Sequence, residues 1–581
     1  MPIPVRVRTP PQTAAPWWGF VLAGLVFGLS FALALPPVSI WPLALVAVLP
    51  LVWAACRAPD RAKRAALLVA LGTIPFWATQ EWYMWYIAAP GYPVLCVYLA
   101  LSPAAFVWII AHARRADWPI PMAVLVPIVW TMLEVFRGEF VYGGYAWFVL
   151  GQPLIDAPFF AAPGVTFGMY GVSFLCAALA GAVADAAGWS GVPRGWGGIG
   201  ASVLTVLWFV LGLPMQFRSG PDGSSKSLRV AVVQTNLPQD NKMGWSVDER
   251  RKDFARFLEL TRQAAAARPV PDVICWPETM FPGIALNPEA IEKLRAGGVK
   301  YKSGYPATQF ADDLAALQAE IGVPMLVGTA VVDGDVLADL GVRGRPKHSQ
   351  IYNSVVLINK GKPQPTRYDK VELTPFGEVI PLLWRWPDAQ NWVVGLGAAG
   401  MEFELSRGSK VAGIELPVSR QELDAKTVRV AAPICFEVTR SDLCRRLVRG
   451  DGTSSGRSPL LINFSNDGWF GDSDLNRRQH LLAARWRCLE LGLAMARCVN
   501  TGISCQIDER GRVLTEQLQD RKGQNERVDG VLLANLPYDL AGSPTIYQRI
   551  GLVPAYVVMG IGMAGTLVLW RRSRRIASGS F

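Results

Sequence analysis

The chain has 581 residues, 51% hydrophobic and only 18% charged, with a formal net charge of +11 and a mean hydropathy of +0.25. These values exclude a disordered chain and a small disulfide scaffold, and they are too apolar for an ordinary soluble enzyme, where about a quarter of residues are charged. The charge is also uneven: of 57 Lys/Arg and 46 Asp/Glu, only 8 and 7 lie between residues 17 and 215.

Seven apolar stretches fill that part: 17–35, 39–56, 65–88, 92–112, 119–136, 166–189 and 197–215, and an eighth covers 550–570. Each approaches the ~20 residues that cross a bilayer as a helix. Trp17, Trp18, Trp41, Trp82, Trp85, Trp147 and Trp570 fall at segment ends, where indoles favour the interface. With a cytoplasmic N-terminus, the inside segments carry 13 basic residues, from Arg6 to Arg575, and the short outside loops carry only Arg137. This bias predicts both termini inside and residues 217–549 outside. Stretch 17–35 ends in Ala32-Leu33-Ala34, like a cleavable signal. Its length and the following Pro36-Pro37 favour a span. The basic clusters are topogenic, so nucleic acid is not an expected partner.

From Leu228 the pattern changes to short apolar runs between amphipathic ones. Strands are predicted at 228–234, 273–276, 325–332, 351–359, 428–434, 460–465, 498–508 and 531–536. Helices are predicted at 247–267, 311–320, 440–449 and 476–496. Stretch 384–426 reads as inserted loops. The alternation argues a layered α/β domain.

Among the nine cysteines no CxxC occurs, which leaves no signal for a zinc ribbon or a redox pair. Six lie in the outer domain, where the oxidising side of a membrane permits disulfides. Cys435 ends an apolar strand and precedes a helix. That turn exposes a thiol near helix N–H groups, which favour the thiolate. The commoner fate of a lone Cys is a packed core. The usual activating partner is His, but His348 and His480 read as solvated loop residues, so another base is needed. Glu278 follows the strand 273–276. Lys370 and Glu378 flank a Pro/Gly turn after another strand. Singly, each reads as an ordinary turn residue.

Together, Glu278, Lys370 and Cys435, each in its own frame, resemble the nitrilase (carbon–nitrogen hydrolase) superfamily over about 228–536. The run Asn463-Phe464-Ser465-Asn466-Asp467-Gly468-Trp469-Phe470 and the positions Arg487, Glu490, Arg497 and Asn500 extend the match. The spans, with Trp130, Glu134, Arg137, Tyr145-Ala146-Trp147 and Gly168–Phe174, resemble the apolipoprotein N-acyltransferase family of the bacterial cytoplasmic membrane.

The resemblance implies a polytopic α-helical membrane domain of eight spans (residues 1–216, with 550–581 as last span and basic tail). It also implies an α/β nitrilase-like αββα sandwich at 217–549, on the periplasmic side of the inner membrane. It implies Cys435 as nucleophile, Glu278 as general base and Lys370 as oxyanion stabiliser. Glu378 and Glu437 would orient the Lys and the cysteine turn, and Trp245 would contact lipid. Phe436 stands where some members carry tyrosine, and its backbone N–H would serve the oxyanion. Trp384, Trp386 and Trp392 are candidates for a mobile cover or for interface anchors. The implied partners are a phospholipid acyl donor (phosphatidylethanolamine), diacylglyceryl apolipoproteins and the bilayer, with no metal or cofactor. If Cys435 is a free thiol, five outer cysteines remain, so at least one more is unpaired. Alternative readings are a membrane-anchored amidase or nitrilase for small amides, a non-catalytic lipoprotein-binding scaffold, and a transporter, for which buried ionisable residues are few.

Overall fold

A computed structural model describes residues 15–116, 118, 120–216, 226–237, 245–339, 349–375, 377–379, 405–418, 420, 426–450, 456–520, 522–539 and 543–578. His348, Trp384, Trp386 and Trp392 lie outside these. The chain divides into two compact units, Met1–Phe217 with Arg549–Phe581, and Arg218–Gln548.

The first unit is helical. Among the described residues, five helices are long and apolar enough to cross a membrane: Trp17–Ala34, Gly91–Arg115, Gly164–Ala186, Gly195–Met215 and Val553–Arg572. Trp41–Cys56 and Pro59–Gln80 form a pair bent by 85° that makes a sixth if counted as one span. The charged run Arg57–Arg64 sits at that bend. The stretch 119–136 forms a helix of only 14 residues, Met122–Val135, running into a π-turn, Phe136–Phe140. Helices Trp17–Ala34 and Ala62–Gln80 approach through glycine: a Cβ at Gly72 would lie 2.2 Å from Val21 O. Small residues of this kind let apolar helices pack backbone to backbone. Trp17, Trp18, Trp82 and Trp85 are exposed, but Trp147, predicted at the interface, is buried. It belongs to a folded 144–152 segment in which Leu150 N–H donates to Glu134 (2.8 Å) and Arg137 donates to Phe148 O (3.0 Å).

The second unit holds twelve strands: β1 (Lys226–Gln234), β2 (Val273–Trp276), β3 (Met325–Gly334), β4 (Ser349–Asn359), β5 (Lys362–Asp369), β6 (Ile414–Pro417), β7 (Thr427–Ala431), β8 (Leu460–Ser465), β9 (Met495–Val499), β10 (Cys505–Ile507), β11 (Val513–Gln517) and β12 (Gly530–Tyr538). They form two six-stranded sheets, ordered β12-β1-β2-β3-β4-β5 and β11-β10-β9-β8-β7-β6. The centre of each is parallel: β1/β2/β3 in one and β7/β8/β9 in the other. The sheets pack face to face, β1 and β2 against β9 and β12 against β10. The amide of Gln506 (β10) bonds both backbone groups of Asn535 (β12), at 2.7 and 2.9 Å. Helices Val247–Ala265 and Gln309–Ile321 cover the first sheet, placing Phe254, Phe257, Leu260 and Leu314 against Ile274, Trp276 and Met325. Helix Ser441–Arg449 packs on β7 and against helix Asp474–Leu491. Central strands covered on both faces are mostly apolar; β8 and β9 are buried throughout, with Asn463, Ser465 and Arg497 as their polar members.

Several local expectations need correction. The predicted strand 498–508 is two antiparallel strands, β9 and β10, turned through Asn500–Ser504. The helix predicted to 496 stops at Leu491, because Gly492 takes a left-handed conformation (φ 57°). Strand β6 lies inside the stretch read as loops. All nine cysteines are free thiols.

Gly328, on β3, lets the turn after β2 lie directly on the sheet. A Cβ there would meet Pro277 O at 2.1 Å and Glu278 Cα at 2.7 Å. The amides of Met280 and Phe281 both donate to Gly328 O, at 3.0 and 3.2 Å. Gly328→Ala is therefore expected to displace Glu278 and to lower stability by about 1–3 kcal/mol, read from the denaturant midpoint.

Candidate active site

Three strand ends converge. Glu278 follows β2 by two residues, Lys370 directly follows β5, and Cys435 follows β7. Tyr368 and Asp369 close β5 against β4, and the Lys370 N–H continues that ladder to Asn353 O at 2.8 Å. Cys435 begins a 3-10 turn, Cys435–Thr439, with φ at 50°. That left-handed conformation is uncommon for a non-glycine residue and is held only where the surroundings determine it. Cys435 is partly exposed, while Glu278 and Lys370 are 4% and 1% exposed.

Lys370 Nζ lies 3.3 Å from Glu278 Oε1 and 2.8 Å from Glu378 Oε2. The Asn353 amide donates to both acids, 2.8 Å to Glu278 and 3.1 Å to Glu378. Glu378 also accepts from the N–H and hydroxyl of Thr374, at 2.8 and 2.9 Å. The second Glu278 oxygen accepts the Asn466 N–H at 2.9 Å. Glu437 joins the two sheets: it accepts from Ile434 N–H (2.9 Å) in the cysteine turn, and from Tyr368 OH (2.9 Å), Val371 N–H (2.8 Å) and Glu372 N–H (3.0 Å) around Lys370.

The electrostatics follow from this packing. Burial opposes the charge on Lys370, but Glu378 and Glu278 outweigh it and hold the ammonium above its ordinary value. Burial also opposes ionisation of Glu378, and Lys370 overcomes it, so the carboxyl is held down. Burial pushes Glu437 up to about 7, against the pull of its backbone donors, Lys370 and Tyr368. Burial raises the Cys435 thiol, the Glu278 charge raises it further, and Lys370 only partly opposes them. Lys370 thus favours the thiolate, as the sequence suggested, while burial and Glu278 act against it.

The structure brings Glu278, Lys370, Cys435, Phe436, Glu378 and Glu437 to one place. Trp245 lies on the helix layer of the first sheet. Its indole N–H donates to Asp253 at 2.8 Å, and Arg250 stands 5.5 Å over its ring. Sequence reasoning missed Asn353 and Tyr368, which carry no motif. It also misread His480, which is 1% exposed on helix Asp474–Leu491 and 2.9 Å from Asp467. That helix, predicted at 476–496, buries polar residues on most sides, among them Asn476, Arg477 and Arg487, so its polar side chains read as solvated. Arg487 pairs with Glu490 at 2.8 Å and donates to Thr439 O at the end of the cysteine turn, 3.2 Å. Asn500 accepts from Leu237 N–H (2.9 Å) and donates to the side chain of Asn466 (3.0 Å). Among the described residues, no group of three or more His, Cys, Asp and Glu is placed to hold a metal ion.

Two family profiles match the chain: "Apolipoprotein N-acyltransferase N-terminal domain" over residues 27–182 and "Carbon-nitrogen hydrolase" over 229–543. The chain is 30% identical to the apolipoprotein N-acyltransferase of Azotobacter vinelandii over 578 residues, 97% of this chain and 98% of that one. The chain belongs to the apolipoprotein N-acyltransferase family. The family member of Nitrosomonas europaea is 28% identical over 548 residues, 92% of this chain and 96% of that one. Among solved structures, Nit3 of Saccharomyces cerevisiae, from branch 10 of the nitrilase superfamily, is 17% identical with a TM-score of 0.33, covering 57% of this chain and 97% of that one. As a member of the apolipoprotein N-acyltransferase family the chain is an acyltransferase with a nitrilase-like α/β domain.

Proposed function

We propose that this acyltransferase N-acylates the α-amine of diacylglyceryl-cysteine on apolipoproteins in two steps, with Cys435 carrying the acyl group between them as a thioester. Phosphatidylethanolamine is the donor. The observation that carries the reading is the buried Glu278–Lys370–Glu378 cluster, to which Glu437 ties the Cys435 turn. A thiol must lose its proton to attack an ester carbonyl. Glu278 is the base in reach of that charge. The developing oxyanion meets Lys370 and the Phe436 N–H, and such fixed donors in a dry site stabilise it by several kcal/mol. The phospholipid leaves as a lysolipid alcohol, taking the proton from Glu278. In the second step Glu278 takes a proton from the lipoprotein ammonium and releases it to solvent, the neutral amine attacks the thioester, and its second proton passes through Glu278 to the departing sulfur, which returns as the thiol. Splitting one difficult aminolysis into two easier steps is the advantage of a covalent intermediate.

Glu378 holds Lys370 charged and in place, and Glu437 ties the cysteine turn to the lysine loop. Trp245 contacts lipid. Eight spans with both termini cytoplasmic put the domain of residues 217–549 at the periplasmic face of the inner membrane, and the 13-to-1 basic bias supports that orientation. Diacylglyceryl and phospholipid carbonyls lie at headgroup depth, which explains why this hydrolase-like domain carries spans at all.

The test is mass spectrometry of the detergent-purified enzyme after incubation with phosphatidylethanolamine. The expected result is a hydroxylamine-labile acyl mass on the Cys435 peptide that disappears when a diacylated lipopeptide with a free amine is added. An adduct on another cysteine, or discharge by water alone at the same rate, overturns the reading. The second outcome would favour a small-amide hydrolase.

A further inference from the structure

Beneath the nucleophile lies a buried charged group that the two-step chemistry leaves unused. His480 Nδ1 is 2.9 Å from Asp467 Oδ1, and Nε2 is 3.3 Å from the backbone oxygen of Cys435. Asp467 is itself fully engaged: Ser465 donates to Oδ1 at 2.8 Å and Arg497 to Oδ2 at 2.7 Å. Burial works against its charge, but Arg497 and His480 prevail and hold the carboxyl low. Arg497 in turn donates to Asn463 at 2.8 Å, and the Phe470 ring stands edge-on to the imidazole at 5.9 Å. The group is drawn from three places: the turn after β8, β9, and the helix Asp474–Leu491.

A carboxylate and a peptide oxygen can only accept hydrogen bonds. The Cys435 oxygen therefore takes its bond from Nε2–H, and Nδ1 faces Asp467 Oδ1 and, at 3.3 Å, the Arg497 guanidinium. The carbonyl of Cys435 and the N–H of Phe436 are opposite edges of one planar peptide. A bond that fixes the oxygen fixes where that N–H points, and it polarises the peptide so that the N–H donates more strongly. Cys435 needs such an anchor, because its φ of 50° lies in a region where a cysteine does not settle unaided.

We propose that His480, held by Asp467, is a positioning residue that aims the Phe436 N–H at the oxyanion of the acyl-transfer transition state. It acts through the Cys435–Phe436 peptide and does not touch substrate. This rests on the reading of Cys435 as the acylated thiol.

The two amide variants separate the two contacts. In His480→Asn the side-chain N–H takes the place of Nδ1 and keeps Asp467 satisfied, but it is too short for Cys435 O. In His480→Gln the amide reaches as far as Nε2 and keeps the bond to Cys435 O. Two rates are read on each full-length, detergent-purified variant. One is single-turnover thioester formation from phosphatidylethanolamine. The other is alkylation of Cys435 by iodoacetamide, which forms no oxyanion. His480→Asn is expected to acylate about 10²-fold more slowly, with alkylation within about twofold of the parent. His480→Gln is expected to stay within about tenfold of the parent in acylation. Acylation and alkylation falling together, His480→Asn acylating at the parent rate, or His480→Gln as impaired as His480→Asn would each overturn the proposal. If His480→Asn does not fold, His480→Gln decides alone: an equal fall in both rates overturns the proposal, and near-parent acylation supports it. Failure of the parent enzyme to form a Cys435 thioester would instead refute the underlying two-step reading.

Discussion

Lys370→Met is expected to slow acyl transfer by at least about 10³-fold and to cost the fold about 3–5 kcal/mol. Both losses come from one atom. Nζ is the cation for two buried carboxylates, at 3.3 Å from Glu278 and 2.8 Å from Glu378. Without it, the oxyanion loses its charged donor and two acids are left buried without a counter-ion. The stability loss has a defined pH signature. In the parent, Lys370 holds Glu378 below its ordinary value. That stabilisation is present above the unfolded carboxyl range and fades as pH falls through the folded value. In the variant the Thr374 and Asn353 donors remain but the largest opposing charge is gone, so the Glu378 carboxyl is less depressed and the stabilisation it gives at high pH shrinks. The gap between parent and variant unfolding midpoints is therefore expected to be widest above the unfolded carboxyl range and to narrow as pH falls below it. A gap that stays constant with pH would remove the charge argument.

Glu278→Gln is expected to lower single-turnover thioester formation by about 10²–10⁴-fold, with a smaller stability loss of about 1–3 kcal/mol. Every neighbour of this side chain is a donor: Asn353 Nδ2 at 2.8 Å, Lys370 Nζ at 3.3 Å and the Asn466 N–H at 2.9 Å. A carboxylate accepts from all three. An amide has one oxygen, so its NH2 group faces a donor in either orientation. The variant loses the base and strains the turn after β8, but Lys370 keeps Glu378 and the fold keeps its ion pair. Thioester formation at the parent rate would rule Glu278 out as the base.

Much of the α/β domain was legible because its strands are short apolar runs between helices of helical period. Strands β2 and β8 fall at their predicted bounds. The failures have physical causes. The 498–508 run reads as one strand because both strands within it are fully buried, and the polar turn between them, Asn500–Ser504, is only five residues long. The helix Asp474–Leu491 buries His480, Arg477 and Arg487, and a polar residue with internal partners has the same letter as one in water. Glu278, Lys370 and Cys435 were legible only as a set in family order. Asn353, which bonds two of the acids, gave no signal at all, since an Asn inside an apolar strand has no spacing to betray it. In the helical unit, hydropathy marked apolar stretches well, but it did not foresee that 119–136 forms a helix of only 14 residues.

Glu278 and Lys370 hang from one sheet, and Cys435 and Asn466 from the other. The bonds from Glu278 to Asn466 N–H and from Glu437 to Tyr368, Val371 and Glu372 are made across that seam. With only one sheet formed, a chain would hold either Glu278 and Lys370 without Cys435, or Cys435 without them. Such a chain is chemically mute. The arrangement is written into topology: Glu278 and Lys370 reach Cys435 only where the two sheets pack against each other.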